Sequence, residues 1–246
     1  MMSLNATVEY TYGHSYQSKK GDGRHGFIYK NSVKIEGKCS MILPIPTPDA
    51  TSVAVIDTSA YAAMMNEFHS ETMANSRSIS APRHLAPVKV GIYTLIVGRE
   101  VQDIHDTLGV TIGSDFSNWL LNHYSETAFT FVTCIWEGDM DAQPIQIEYA
   151  PHWRDYLFFP MMESHGGIPV DDKVHRNHYL TVSTGEESHN KFRHAPPSLH
   201  DSYAGVEITM DIVNGDAYIH IETLESMWYS EKTAINFDAY PHGIAL

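Results

Sequence analysis

Hydrophobic residues in this chain recur in short runs or in alternation with polar residues, and both patterns are typical of β-strands. Residues 128–136, AFTFVTCIW, are apolar on both faces and predict a central strand of a sheet. Residues 144–149 and 155–161 predict further strands of that sheet. Other strands are predicted at 7–12, 52–57 and 88–98. We therefore expect a chain rich in β-structure.

Three short segments carry apolar residues at helical spacing. The first, 59–68, has a methionine-rich apolar stripe, which we interpret as core packing rather than a partner surface. The second spans 100–108, and the third spans 115–124 with Ser114 as its N-cap. The fold class predicted from these patterns is α+β, mainly antiparallel β-sheet with three short helices.

Two segments near the start of the chain predict turns. Residues 13–26, GHSYQSKKGDGRHG, are rich in glycine, and they lack the Gly-Lys-Ser/Thr ending of a phosphate loop. Lys30 and Asn31 separate two apolar stretches, which is typical of a hairpin. The sequence thus predicts one loop over 13–26 and a second turn at Lys30-Asn31.

A further hairpin is predicted near residue 214. Asn214-Gly215 is the preferred pair for a two-residue type I′ turn. Apolar and polar residues alternate on both sides of it, and pairing through the turn places Met210 opposite Ile219. We therefore predict two antiparallel strands that pair with each other there.

The domain organisation is simple. Residues 70–87 are rich in serine, alanine and proline and show no periodicity, which is the clearest interruption of the pattern. We expect a single α+β domain over residues 1–246, in which 70–87 marks the place where two lobes would divide.

Charge and composition exclude some classes of function. The chain has 16 basic and 30 acidic residues, a net charge of −14, so its surface repels phosphate backbones and we expect no nucleic-acid binding. No apolar stretch approaches the roughly 18 residues of a membrane span, and no secretory signal is visible. Cys39 and Cys134 both lie in apolar runs, which indicates small buried side chains rather than a disulfide framework. We expect a soluble cytoplasmic protein.

The candidate chemistry concentrates in residues 158–182, FFPMMESHGGIPVDDKVHRNHYLTV. Histidines and carboxylates are ligands for zinc and other divalent metals. The candidate metal ligands are His165, His175 and His178, and the candidate catalytic residues are His165, Asp171 and Asp172. Two observations argue against this site. His175 and His178 are three residues apart, and residues at that spacing on a strand point to opposite faces. Adjacent acids such as Asp171 and Asp172, beside proline and glycine, usually form solvated turns.

The order of elements over residues 88–183 resembles an uncharacterised bacterial family. The resemblance rests on the NWLLNHY helix, the FTFVTCIW strand and the segment LFFPMMESHGG, and the earlier MILPIP and IDTSAY segments also fit it. In that family a proline-ended FFP strand precedes histidines and an Asp-Gly turn, followed by an Asp-His strand. This chain has His165 and His178, with Gly166 and Asn177 in place of the aspartates. The resemblance implies a layout of elements and no activity.

Two functions remain open from the sequence. The first is a non-enzymatic protein-interaction or self-assembly module, with a protein partner or a second copy bound by the long polar segments 70–87 and 184–204. The second is a metal-dependent hydrolase or lyase that uses a His/Asp cluster around 165–178, with zinc or another divalent cation as cofactor.

Overall fold

A computed structural model defines a β-rich chain. It describes residues 2–18, 21–58, 87–98, 113–137, 143–160, 164–165, 176–183, 208–212 and 217–220. The strands are β1 Met2–Gln17, β2 His25–Ile45, β3 Ala54–Ile56, β4 Val88–Val90, β5 Tyr93–Gly98, β6 Thr130–Glu137, β7 Ile145–Tyr149, β8 Tyr156–Phe159, β9 Ser164–His165, β10 Arg176–Ser183, β11 Ile208–Ile212 and β12 Ala217–His220. The helices are α1 Ser114–His123 and a 3₁₀ turn at Ala50–Ser52.

Ten of these strands form one sheet. Its main path runs β11-β10-β1-β2-β6-β5-β4, while β7 pairs with β2 and β3, and β9 pairs with β1. The pairings of β1 with β9 and β10 are parallel, and the others are antiparallel. Strand β6 lies between β2 and β5 and is buried on both faces over most of its length, as its apolar run predicts. The expectation of a mainly antiparallel, β-rich protein is confirmed.

Strands β1 and β2 are much longer than the sequence pattern predicts. Strand β1 runs to Gln17 and β2 begins at His25, so both strands extend into the segment 13–26 that was expected to be a loop. The backbone N–H of Ser18 donates to the carbonyl of Arg24 at 2.8 Å across that loop. Gly21 and Gly23 adopt φ values of 66° and 67°, which glycine reaches without strain.

The turn predicted at Lys30-Asn31 is wrong. Strand β2 continues through both residues, with Lys30 opposite Tyr12 and Asn31 opposite Thr11. Polar side chains suggested a turn because they interrupt an apolar run. Both residues are buried, and β1 supplies a backbone partner for each, so the strand continues.

Strand β2 links two parts of the sheet. On the side away from β1, its first part pairs with β7 over residues 25–29 and its second part pairs with β6 over residues 38–45. The β1–β2 register shifts between Leu4 and Ala6 and again between Val8 and Tyr10. Such irregularities bend a strand. The shift between Val8 and Tyr10 lies between the part of β2 that faces β7 and the part that faces β6.

The segment 88–98 forms two strands where one was predicted. The chain turns at Gly91 and Ile92, so that Val90 lies opposite Tyr93. Gly91 has a φ of 58°, a left-handed conformation that favours glycine. The apolar residues on either side of the glycine conceal this turn in the sequence.

One of the three predicted helices lies within the described residues and is confirmed. Helix α1 buries Phe116 and Leu120 against the core, in agreement with the predicted apolar face. Its N-cap is Gly113 rather than Ser114. The predicted helices at 59–68 and 100–108, and the proposed lobe boundary at 70–87, lie outside the described residues.

The predicted pairing of Met210 with Ile219 is wrong, and the predicted turn at Asn214-Gly215 lies outside the described residues. Strand β11 pairs with β10, placing Met210 opposite His178, and β12 pairs with β8, placing Ile219 opposite Leu157. Strand β8, expected to extend the main sheet, instead forms a two-stranded sheet with β12. The reason is that alternating apolar residues suit several partners equally well, so the pattern specifies a strand and leaves its neighbour undetermined.

The hydrophobic core lies between the main sheet, helix α1 and strand β8. Its fully buried side chains are Phe27, Leu43, Ile45, Leu120, Phe131, Val132, Cys134, Ile147, Tyr149 and Leu157. Cys39 and Cys134 are both buried and unbonded to each other, which confirms them as small core side chains. Burial raises the pKa of the Cys134 thiol, which keeps it protonated and unreactive. Within the described ranges, no helix has the length and apolar character needed to cross a bilayer.

Candidate functional site

The structure separates two of the histidines selected from the sequence. His165 lies in β9 opposite Ser3, and His178 lies in β10 opposite Thr11. These two positions on β1 are eight residues apart, which corresponds to roughly 26 Å along an extended strand at about 3.3 Å per residue. The sheet therefore does not bring His165 and His178 to neighbouring positions.

The other candidate residues, Asp171, Asp172 and His175, lie outside the described residues. Among the residues that the structure does describe, no three His, Cys, Asp or Glu side chains gather closely enough to hold a metal ion. A His/Asp metal cluster therefore stays a prediction.

One face of the β1–β2–β7 sheet, here called the apolar face, is filled by aromatic rings. The Phe159 ring lies over Gly13, where a Cβ atom would stand 1.9 Å from the ring. The same ring stacks on Tyr29 at 5.4 Å and meets Phe27 edge-on at 5.9 Å between centroids. Because Gly13 has no side chain, β8 can dock directly on β1, and the Ser15 hydroxyl donates to the Phe158 carbonyl at 2.9 Å beside it.

The opposite face of the same strands, here called the polar face, carries a hydrogen-bonded network. The Gln146 amide donates to the Tyr16 hydroxyl at 2.7 Å, and that hydroxyl donates to the Glu148 carboxylate at 3.2 Å. Gly26 lies between Tyr16 and Glu148 in the register of the three strands. A Cβ on Gly26 would stand 2.5 Å from the tyrosine ring, so this glycine allows Tyr16 to reach across β2.

Other polar residues extend this face. His14 stacks on Tyr16 with 5.8 Å between ring centroids, and both His14 and Lys30 are buried. Nearby, the Arg24 guanidinium donates to the backbone carbonyls of Ser52 and Glu148, at 2.5 and 3.0 Å. These bonds are directed at groups of the protein itself, so the network fixes the positions of three strands.

The apolar face also contains a titratable side chain. His25 lies opposite Tyr149, with 6.4 Å between the ring centroids. Burial lowers the pKa of His25 to about 4, although the Tyr156 backbone and the Asp155 charge act in the opposite direction. His25 is therefore neutral at physiological pH and contributes to the core as an aromatic ring.

Sequence reasoning missed both glycine contacts, although the alternation of residues contained a signal. In HSYQ the residues His14 and Tyr16 share one face, and in IQIEY the polar residues Gln146 and Glu148 share one face. Only the strand register shows that these two polar pairs meet across Gly26.

The outer edges of the sheets differ in how they are protected. Six described strands have a single neighbour, and five of them are two to four residues long: β3, β4, β8, β9 and β12. Strand β4 also carries the exposed Lys89 at its centre. Short length and a central lysine are the usual means by which proteins prevent edge-to-edge pairing.

Strand β11, Ile208–Ile212, has five described residues and is another of the strands with a single described neighbour. Its sequence ITMDI has no lysine and no proline, and within the described part of the chain it pairs with β10 alone.

Comparisons with known proteins show no family for this chain. No protein-family model matches the chain, and no curated protein matches it. Among solved structures, the crystal structure of baculovirus P35 is similar with a TM-score of 0.45 and 13% sequence identity. The match covers 73% of this chain and 64% of the baculovirus protein.

Proposed function

We propose that this chain is a protein-binding or self-assembly module that accepts an extended strand along the outer edge of β11. The observation that supports this proposal is that β11 has no lysine and no proline and, within the described residues, pairs with β10 alone. An exposed strand edge presents a row of unpaired N–H and C=O groups, and a second chain can satisfy them by adding a strand.

The sequence of β11 supports the same function. Apolar residues alternate with Thr209 and Asp211, which is the pattern of a strand with one face directed to a core and one to solvent. The net charge of −14 favours an added strand that carries basic residues over one that carries acids. The metal-dependent hydrolase or lyase gains no support from the described residues.

A synthetic peptide of alternating valine and lysine, labelled for fluorescence anisotropy, tests this function. It should bind the full chain with micromolar affinity, and salt should weaken the binding because part of the attraction is electrostatic. A peptide of the same composition in scrambled order is the control, since it lacks the alternation that a strand edge selects.

Two proline variants locate the binding edge. Neighbouring residues in a strand direct their N–H groups to opposite edges, so Thr209→Pro and Met210→Pro remove N–H groups from different sides of β11. One variant should lose peptide binding and keep the melting temperature of the wild type, and the other should melt at a lower temperature. Lys89→Arg, on the β4 edge, keeps the protecting charge and should leave peptide binding unchanged. The function is excluded if the peptide does not bind, or if it binds both proline variants as well as the wild type.

A further inference from the structure

His25 lies where the two ends of the β7–β8 connection meet. On one side its ring contacts Tyr149, the last residue of β7, with 6.4 Å between the ring centroids. On the other side the ring donates a hydrogen bond to the backbone of Tyr156, the first residue of β8. Residues 150–155 run between these two positions, so His25 holds both ends of that segment.

The surroundings of His25 suit only the neutral ring. Its Nδ1 atom is buried and has no hydrogen-bond partner, so the bond to Tyr156 is made by Nε2 and Nδ1 carries a lone pair. A proton on Nδ1 would create an N–H donor that no group in the described part of the chain accepts. It would also place a positive charge on a side chain that is 2% exposed, and both changes are unfavourable in a buried site.

One acidic group acts on His25, and it belongs to the segment 150–155. The Asp155 charge favours protonation of His25, but the Asp155 side chain is exposed to solvent. Arg24, next to His25 in sequence, directs its guanidinium to two backbone carbonyls. Burial raises the pKa of the Tyr149 hydroxyl, which is therefore uncharged. Asp155 is thus the charged partner for a protonated His25, and the pair forms only if the segment moves.

The segment 150–155 lies at the surface and is separate from the anchor of β8. Four of its residues are exposed: Ala150, His152, Arg154 and Asp155. In its middle the His152 N–H donates to the Pro46 carbonyl at 2.8 Å. Strand β8 is held instead by the Phe159 ring over Gly13. The segment can therefore move outward while β8 stays in the core.

We infer that residues 150–155 form an acid-opened latch: protonation of His25 breaks its bond to Tyr156, the segment moves outward, and the imidazolium pairs with Asp155. The latch does not involve β11, so it stands independently of the proposed strand addition. Opening brings the buried end of the β2–β7 pair into contact with water, and the rest of the sheet stays folded.

The pH range follows from the two protonation equilibria. The pKa of His25 is about 4 when the segment is closed and 6.5 in its ordinary state, so the open arrangement binds the proton more tightly. Acid therefore favours opening. Lowering the pH from 7 to 5 should raise the ratio of open to closed chains roughly twentyfold.

Hydrogen exchange at the His152 amide of the full chain measures this opening, because opening breaks the bond to Pro46. After correction for the intrinsic pH dependence of exchange, protection of this amide should fall roughly twentyfold from pH 7 to pH 5, and the amides of β6 should keep theirs. In His25→Phe the protection should be equal at both pH values, because the phenyl ring does not titrate. In Asp155→Asn the fall should be smaller, because the imidazolium loses its partner.

Three results would overturn the inference. Equal protection of the wild-type His152 amide at pH 7 and pH 5 means that the segment does not open, and the same fall in His25→Phe as in the wild type means that another group controls it. Loss of protection in β6 together with His152 means that acid unfolds the sheet. Asp155→Asn changes an exposed side chain and keeps the test decisive if His25→Phe does not fold: a fall as large as in the wild type contradicts the pairing.

Discussion

The two faces of the β1–β2–β7 sheet are built from alternate residues of the same strands, yet they are held together differently. On the apolar face, Phe159 lies over Gly13 and joins a second sheet to the first. On the polar face, Tyr16 crosses Gly26 and joins β1 to β7 through hydrogen bonds. Each face depends on one glycine that leaves space for one aromatic ring. The apolar contact connects two sheets, whereas the polar contact connects strands of one sheet.

This difference predicts unequal costs of disruption. Overfilling a close-packed core displaces neighbours in several directions and costs about 1–3 kcal/mol, occasionally more. Losing one hydrogen bond of a partly buried network costs about 1 kcal/mol. The stability of the fold should therefore respond more strongly to changes on the apolar face than to changes on the polar face.

Gly13→Val should produce the largest effect. A Cβ at this position would lie within 1.9–2.5 Å of three atoms of the Phe159 ring, so β8 must move away from β1. The free energy of unfolding should fall by about 3 kcal/mol, measured by urea denaturation. The control is Gly113→Ala, where no atom lies within 4 Å of the added Cβ, and this variant should lose less than about 1 kcal/mol. Equal losses in the two variants would contradict the contact between Phe159 and Gly13.

Acid should weaken the apolar face through His25. The pKa of this side chain is about 4 in the folded chain and 6.5 in its ordinary state, so the unfolded chain binds the proton first as pH falls. The stabilisation is complete above about pH 6.5 and is lost as pH falls from there towards 4, up to about 3 kcal/mol. Urea denaturation of His25→Phe over the same range should show a smaller loss, because the phenyl ring fills the site without titrating. Parallel pH profiles for the two proteins would show that His25 is not the group responsible.

The smallest effect is expected on the polar face. Tyr16→Phe removes the hydroxyl that joins Gln146 to Glu148, and it should cost about 1 kcal/mol. Glu148→Gln retains an acceptor oxygen for Tyr16 and should cost less. The double variant should cost little more than Tyr16→Phe alone, because without the hydroxyl there is no hydrogen bond left for Glu148→Gln to weaken. Additive losses in thermal unfolding would mean that the two side chains act independently.

Elements defined by local pattern were predictable from the sequence. The apolar run of β6 identified a central strand, and the helical spacing of Phe116 and Leu120 identified the buried face of α1. In both cases the residues that determine the element are adjacent in sequence, and their periodicity has one interpretation.

Pairing between distant segments was not predictable. Asn214-Gly215 has the local chemistry of a hairpin, but β11 and β12 join different sheets because β10 and β8 offer them compatible edges. Lys30 has a polar side chain that suggests a turn, but its backbone is paired with Tyr12. The polar network and the separation of His165 from His178 depend on the same long-range register.

The central claim, that β11 accepts an added strand, is tested most directly by amide hydrogen exchange at residues 208–212. In the absence of a second strand, amides directed to β10 should exchange slowly and the alternate amides rapidly. Conditions that favour strand addition, either the alternating peptide or high protein concentration, should slow the rapidly exchanging amides and leave those of β4 unchanged. If all five amides keep their exchange rates under both conditions, β11 does not accept a strand.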